Sequence, residues 1–254
     1  MQLHFKSLGQ GPPLIILHGL FGSLDNWMTH ARTLASDFTV FLVDQRNHGK
    51  SPHSEAWNYQ LMAEDLYELM DREAIFSSHI LGHSMGGKTA IQFAMLYPER
   101  IDKLVIADIG VKAYVPHHVQ IIKAMNSVDL SQVSSRKEVD EQLAISIEDI
   151  GIRQFLLKGL GRNDAKEFAW KFNLKVLTAN YPEVLKQIDL LDPFDNPTFF
   201  IHGGRSNYIL PKDIAGIQSF FPSVEFYEIP EAGHWLHAEA PEVFITKVRE
   251  FLID

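Results

Sequence analysis

Residues 81–90 read LGHSMGGKTA, and this stretch decides how the chain folds. Ser84 stands between Gly82 and Gly86, at the end of the apolar run SHILGH and the start of GKTAIQFAML, whose apolar residues recur at helical spacing. The pattern is G-x-S-x-G with a strand before it and a helix after it, the context that gives the pattern meaning. A serine at so sharp a turn takes a strained backbone conformation, and glycines two residues away on either side relieve the crowding and let the helix pack close. The hydroxyl then projects above the carboxyl edge of a sheet, where ligands bind in open α/β folds. The N–H of Met85, first in the helix, points toward a developing negative charge. The bland alternative is a tight turn, so the two readings are separated by whether the chain supplies partners for a nucleophile.

Outward from that turn, short β-rich runs alternate with helical patterns, the signal for a mostly parallel sheet covered by helices. The strand candidates are LIILHG (14–19), TVFLVD (39–44), SHILGH (78–83), KLVIAD (103–108), TFFIHG (198–203) and VEFYEI (224–229), with a weaker opening strand at 3–6. Several are almost continuous Val, Ile, Leu and Phe, as in strands buried on both faces. Helix candidates between them are NWMTHARTLA behind the capping residues Ser23 and Asp25, YQLMAEDLYELMDRE, GKTAIQFAML and the final PEVFITKVREFLI. The alternation breaks over residues 112–193, where VPHHVQIIKAMNSV, SRKEVDEQLAISI and GIRQFLLKGL read as helices and no parallel-sheet strand stands out. The expectation is a core of residues 1–111 and 194–254 with an all-helical lid inserted at 112–193.

Composition excludes several classes. A chain of 254 residues with 46 % hydrophobic content buries a sizeable core. A formal charge of -9 argues against a nucleic-acid partner, which needs a basic stripe. With no cysteine there is no disulfide framework, thiolate metal site or cysteine nucleophile. The longest apolar run, PPLIILHGLFG, is too short for a bilayer span, and no secretory signal opens the chain, so a cytoplasmic protein is expected. Oligomeric state is not readable. His117 and His118 are adjacent, lie on different faces of a helix and have no carboxylate at ligand spacing, so they read as lid surface rather than metal ligands.

A serine needs a base. PEAGHWLHAE places His234 after Gly233, in a loop between the last strand and the final helix; His237, entering the helix, is the weaker candidate. Trp235 beside it is a candidate pocket wall. The first long strand ends in HGLFGS, and the turn after it should bring the amide of Leu20 as the second oxyanion donor beside Met85, with His18 buttressing the loop. Asp44 reads as a hydrogen-bonding anchor for the RNHGKS loop.

Together these pieces resemble the α/β-hydrolase superfamily over essentially the whole chain. The combination HGLFGSLDNW, DQRNHGKSP, GHSMGGK, DIG and EAGHW resembles more narrowly the YbfF-type esterases, a branch with a helical cap, and Asn47-His48 is the pair that distinguishes this branch. The resemblance implies hydrolysis of acyl esters or thioesters with no metal or cofactor. Most of the superfamily carries the triad acid in the turn after the penultimate strand, as G-x-x-D; here Ser206 stands three residues past Gly203. A neutral serine cannot stabilise an imidazolium as a carboxylate does. Asp108, at the end of KLVIAD, emerges at the same sheet edge, and the resemblance points to it too; Asp189, Asp192 and Asp195 are the fallback, and Ser206 is a candidate second partner of His234. For a thioester, Lys88, Lys112 and Arg205 are the cations that a phosphate would meet. A carbon–carbon bond hydrolase of the same fold and a non-catalytic ligand receptor are the competing readings.

Overall fold

In the computed structural model, which describes residues 1–190 and 192–254, the apolar runs become one seven-stranded sheet. In chain order the elements are β1 (Phe5–Leu8), β2 (Pro13–Leu17), α1 (Met28–Leu34), β3 (Thr39–Val43), α2 (Tyr59–Arg72), β4 (Ser78–His83), α3 (Met85–Leu96) and β5 (Ile101–Ala107). There follow α4 (Val119–Ser127), α5 (Arg136–Ala144), α6 (Ile150–Lys158), β6 (Leu160–Arg162), β7 (Phe168–Trp170), α7 (Leu174–Ala179) and α8 (Tyr181–Leu185). The chain then returns through β8 (Thr198–Gly203), α9 (Pro211–Phe220), β9 (Val224–Ile229), α10 (Leu236–Glu239) and α11 (Pro241–Ile253).

The sheet order is β1-β3-β2-β4-β5-β8-β9, and every pair is parallel except β1 with β3. Side-chain alternation along the strands divides the core in two. Leu14 and Ile16 of β2, with Leu42, Leu81 and Val105, pack on Trp27, Leu34, Phe244 and Val248. Ile15 and Leu17, with Ile80, Leu104 and Ile106, pack on Leu66, Leu69, Ile91 and Phe93. Between β2 and β4 the strand order reverses direction, and the crevice outside the carboxyl ends of strands at such a point is where open sheets bind ligands. The loops after β2, β4, β5 and β9 all emerge along that edge.

Three local details depart from the sequence reading. The opening strand lies at Phe5–Leu8 rather than 3–6, because it is a half-exposed edge whose position is set by antiparallel pairing with β3 and not by an apolar run. The first lid helix begins only at Val119, and the His117 and His118 amides before it donate to the Tyr181 hydroxyl. The insertion between β5 and β8 is not all helical: β6 and β7 form an antiparallel hairpin of three-residue strands, too short to show a period. Beyond that hairpin the His48–Phe172 bridge and the bond from the Asn173 amide to the Asn47 carbonyl (2.8 Å) seat the insertion on the RNHG loop. No helix among the described residues is long and apolar enough to cross a membrane.

Candidate active site

Ser84 sits at the β4–α3 turn with φ 53° and ψ -118°, a left-handed backbone that a non-glycine residue keeps only where its surroundings impose it. They do: the Ser84 amide donates to Ala107 O (3.0 Å) and its carbonyl accepts from the Lys88 amide (3.0 Å). The flanking glycines answer to contact rather than to dihedral. A Cβ on Gly82 would lie 2.3 Å from Gly86 O, and one on Gly86 would lie 2.3 Å from Leu17 O.

The side chain of Ser84 meets His234: Oγ lies 3.0 Å from Nε2. On the far side of the ring, Nδ1–H donates to Asp108 Oδ2 at 2.7 Å. Asp108, directly after β5, is completely buried and also left-handed, at φ 48°, pinned by the bond from its amide to Ile201 O (2.9 Å). Its carboxylate accepts further bonds from the Gly203 amide on Oδ1 (3.1 Å) and from the Ser206 hydroxyl on Oδ2 (2.5 Å). Three donors on one buried carboxylate occupy its lone pairs and fix its plane. Ser206 therefore bonds to Asp108 and not to His234, the partner expected for it. The fallback carboxylates Asp189, Asp192 and Asp195 are exposed, and none of them meets His234.

His234 is held from several directions. Its carbonyl accepts from His83 Nε2–H (2.9 Å). The amides on either side of it, of Gly233 and Trp235, both donate to the carboxylate of Glu239, at 2.7 and 3.3 Å. The Tyr208 ring stacks on the imidazole, with centroids 3.9 Å apart and planes 15° from parallel. Sequence reasoning missed Tyr208, His83 and Glu239. The sequence signals for them are slight: Tyr208 stands two residues past Ser206, His83 is a variable position inside the motif, and Glu239 is one more acidic residue near a helix start.

Facing Ser84, the β2 loop brings the amide of Leu20. Neither this amide nor that of Met85 donates to another group among the described residues. The loop is tied down from behind. His18 accepts from the Gln45 amide on Nε2 (3.1 Å) and donates from Nδ1 to Gly19 O (2.8 Å); burial lowers its pKa, which keeps this neutral form. His48 accepts from the Phe21 amide (3.3 Å). Asp44 accepts from the Leu24 and Lys50 amides, at 2.8 and 2.9 Å, as expected of a loop anchor.

Two chambers open from this point, with Leu20, Ser84 and His118 in the walls of both. The first adds His234, Trp235, Ile152, Phe155 and Leu156; the second adds Met85, Tyr59, Tyr114, Val184, Leu185 and Tyr208. Each has a cavity volume of ≈ 20 Å³, room for about one water. Outside the first lies a cleft of ≈ 610 Å³ that shares Asn26, Ile152, Phe155, Trp235 and His237 with it. The Phe155 and Trp235 rings, 5.8 Å apart, stand in the wall between them. His118 thus faces the chambers and is not lid surface, a correction to its sequence reading. Of the three cations considered for a phosphate, Lys88 is 1 % exposed and bonds backbone carbonyls, and Lys112 pairs with Asp213; Arg205 is exposed. Among the described residues no three acidic or histidine side chains gather as metal ligands.

This arrangement, a hydroxyl on an imidazole on a buried carboxylate beside two unused amides, has the parts that acyl transfer requires. The family model described as alpha/beta hydrolase fold matches residues 12–241. The chain is 37 % identical over 243 residues to esterase YbfF of Escherichia coli (strain K12), covering 95 % of this chain and 93 % of the relative. It is 35 % identical over 249 residues to the sn-1-specific diacylglycerol lipase ABHD11 of Mus musculus, covering 95 % and 81 %. A solved marine microorganism esterase superposes with a TM-score of 0.96 at 43 % identity, covering 98 % of this chain and 99 % of that one. The chain is an enzyme of the serine hydrolase type, and it belongs to the α/β-hydrolase family, in its branch of YbfF-type esterases.

Proposed function

We propose that the enzyme hydrolyses short-chain acyl esters through a Ser84–His234–Asp108 triad and an acyl-enzyme. The observation that carries this reading is the unbroken series from Ser84 Oγ to His234 Nε2 (3.0 Å) and from His234 Nδ1 to Asp108 Oδ2 (2.7 Å). His234 Nε2 takes the hydroxyl proton as Oγ attacks the acyl carbonyl, and Asp108 stabilises the imidazolium that forms. The oxyanion is met by the amides of Leu20 and Met85. The bond to the leaving oxygen or sulfur then breaks as Nε2–H returns the proton to it. Water enters, gives its proton to the same nitrogen, and releases the acid from Ser84. Ser206 and His18 are support in this scheme, one beneath Asp108 and the other beneath the Leu20 loop.

The two chambers divide the substrate. The first contains the base and adjoins the outer cleft, so it suits the leaving group, which must depart while the acyl group stays. The second suits the acyl group, and its small volume favours a short one. Residues 112–193 act as the lid, since Ile152, Phe155 and Leu156 close the first chamber and Val184 and Leu185 the second. The relatives named esterase and diacylglycerol lipase support oxygen esters as the substrate class. Thioesters such as acyl-CoA require the same chemistry, with exposed Arg205 as the cation for a phosphate.

The test is labelling with a fluorophosphonate, together with turnover of p-nitrophenyl butyrate and short acyl-CoAs. Wild type is expected to label and turn over, and Ser84→Ala to lose about 10⁶-fold in kcat. Labelling without turnover of any ester would point to carbon–carbon bond hydrolysis. Absence of labelling, or a Ser84→Ala variant that keeps its rate, would refute the triad.

A further inference from the structure

We propose that His118 donates a hydrogen bond from Nε2–H into the junction of the two chambers, so that the enzyme selects esters carrying a second acceptor oxygen close to the scissile carbonyl. The proposal rests on the ester-hydrolase reading above and adds a specificity-determining residue to it.

The geometry around Tyr181 fixes the tautomer. The Tyr181 hydroxyl oxygen accepts from the amides of His117 (3.1 Å) and His118 (2.9 Å), which occupies both of its lone pairs. Its own proton must therefore be donated, and the acceptor within reach is His118 Nδ1, at 3.1 Å. A ring that accepts on Nδ1 while neutral carries its hydrogen on Nε2. The ring is neutral at physiological pH, because burial, then the nearby His234 and His117, push its pKa down to about 4. Nε2 has no hydrogen-bond partner among the described residues.

The ring is also fixed in place. It stands edge-on to Phe21 (6.4 Å between centroids, 82°) and to Tyr181 (6.0 Å, 85°). With Leu20 and Ser84 it is common to both chambers, so whatever fills either one passes it. Two neighbouring imidazoles have no such donor to spare, since His18 spends its N–H on Gly19 O and His83 spends its own on His234 O, and His237 lines only the first chamber. A plain aliphatic ester that displaces water from the junction leaves the Nε2–H unpaired, whereas a keto, hydroxy or ether oxygen at that place satisfies it. The oxygen can belong to the acyl or to the alcohol part, and matched substrates tell the two apart.

The experiment compares kcat/KM within two pairs: ethyl acetoacetate against ethyl butyrate for the acyl side, and 2-methoxyethyl butyrate against butyl butyrate for the alcohol side. The ratio of oxygenated to plain ester should fall about 3- to 10-fold in His118→Phe in one pair. His118→Gln, whose amide restores a donor, should recover it. Any general loss from substitution in a chamber wall affects both members of a pair and cancels in the ratio. A ratio unchanged in both pairs, with turnover intact, overturns the proposal and leaves the esterase reading standing. Nitrogen NMR of the His118 ring gives a second measurement independent of turnover. Nε2 should resonate as the protonated nitrogen and Nδ1 as the bare one between pH 5 and 9, and the reverse assignment overturns the proposal even if the enzyme turns over no ester.

Discussion

Two regions meet above Ser84 and they are built on different principles. The strand ends contribute Ser84, Asp108 and His234, each held by backbone or buried partners, and two of the three in left-handed conformations that the sheet around them enforces. The insertion contributes chamber walls: side chains from short helices whose outer faces leave Ile145 and Ile150 exposed. Strain of this kind costs about 1–3 kcal/mol per residue and persists only where neighbours over-determine it. Two parallel strands and their bonded neighbours do that. On the proposed mechanism the reacting groups belong to the sheet edge, and the insertion shares substrate choice with core residues such as Leu20, Tyr208 and Trp235.

The largest effect that would break this division is at Asp108. Asp108→Asn keeps the shape but supplies Nδ1 of His234 with an amide in place of a carboxylate, and kcat should fall about 10⁴-fold on any ester. KM should change little, because the walls are elsewhere. Steady-state kinetics on p-nitrophenyl butyrate reads both. A near-native kcat would mean that the acid is not at the end of β5, and the sheet edge would then be incomplete.

How much of this was legible in sequence follows the same line. The sheet edge was legible because its signals are local: continuous apolar runs for the buried strands, two glycines around Ser84, and one glycine before His234. Asp108 could be singled out because a strand end and a missing aspartate after β8 are both visible in one dimension. What escaped depends on partners far apart in the chain. Ser206 reaches Asp108 from 98 residues away, and His118 owes its direction to Tyr181, 63 residues on. No periodicity reports either meeting. The hairpin of β6 and β7 escaped for a different reason, since three residues are fewer than any pattern requires.

A second way to sharpen the comparison is acid. The sheet region encloses His18, His30, His48, His83 and His237, and burial, the largest cause in each case, lowers every one of their pKa values; that of His83 falls to about 3. In the unfolded chain each binds a proton near pH 6.5, so between that pH and the folded value the unfolded state carries more protons. Stability is then present above pH 6.5 and drains away as pH falls, by up to about 1.4 kcal/mol per pH unit for each such ring. Denaturant unfolding at pH 7, 6 and 5 should show this as a steep loss. His237 stacks on Trp27 (4.5 Å, 13°), and its Nδ1 has no partner, so His237→Phe should make the loss shallower by one ring's share. An unchanged slope would mean that His237 is already protonated in the folded core.

The smallest effect concerns the seam between the regions. Lys88, one helical turn beyond Ser84, is buried with no carboxylate partner among the described residues and donates from Nζ to the carbonyls of Lys112 (2.9 Å) and Lys186, one at each root of the insertion. The rings of Tyr114 and Tyr59 lie 4.9 and 5.7 Å from the same nitrogen. The charged side chains at the two roots are engaged with others, Lys112 with Asp213 and Lys186 with Glu183. Burial lowers the Lys88 pKa to about 7, while the unfolded chain keeps it near the ordinary lysine value of 10.5. Between those values the unfolded state holds the extra proton, so stability should rise with pH by up to about 1.4 kcal/mol per unit, and below pH 7 the slope should vanish. The neutral amine still has two hydrogens for the two carbonyls, so the ties survive deprotonation. Lys88→Met should abolish the rise and leave both carbonyls without a donor. Amide exchange should then quicken across α4 to α8 and stay slow in β4 and β5. Equal acceleration in both would mean that insertion and sheet open together, and that their division of labour does not extend to their motions.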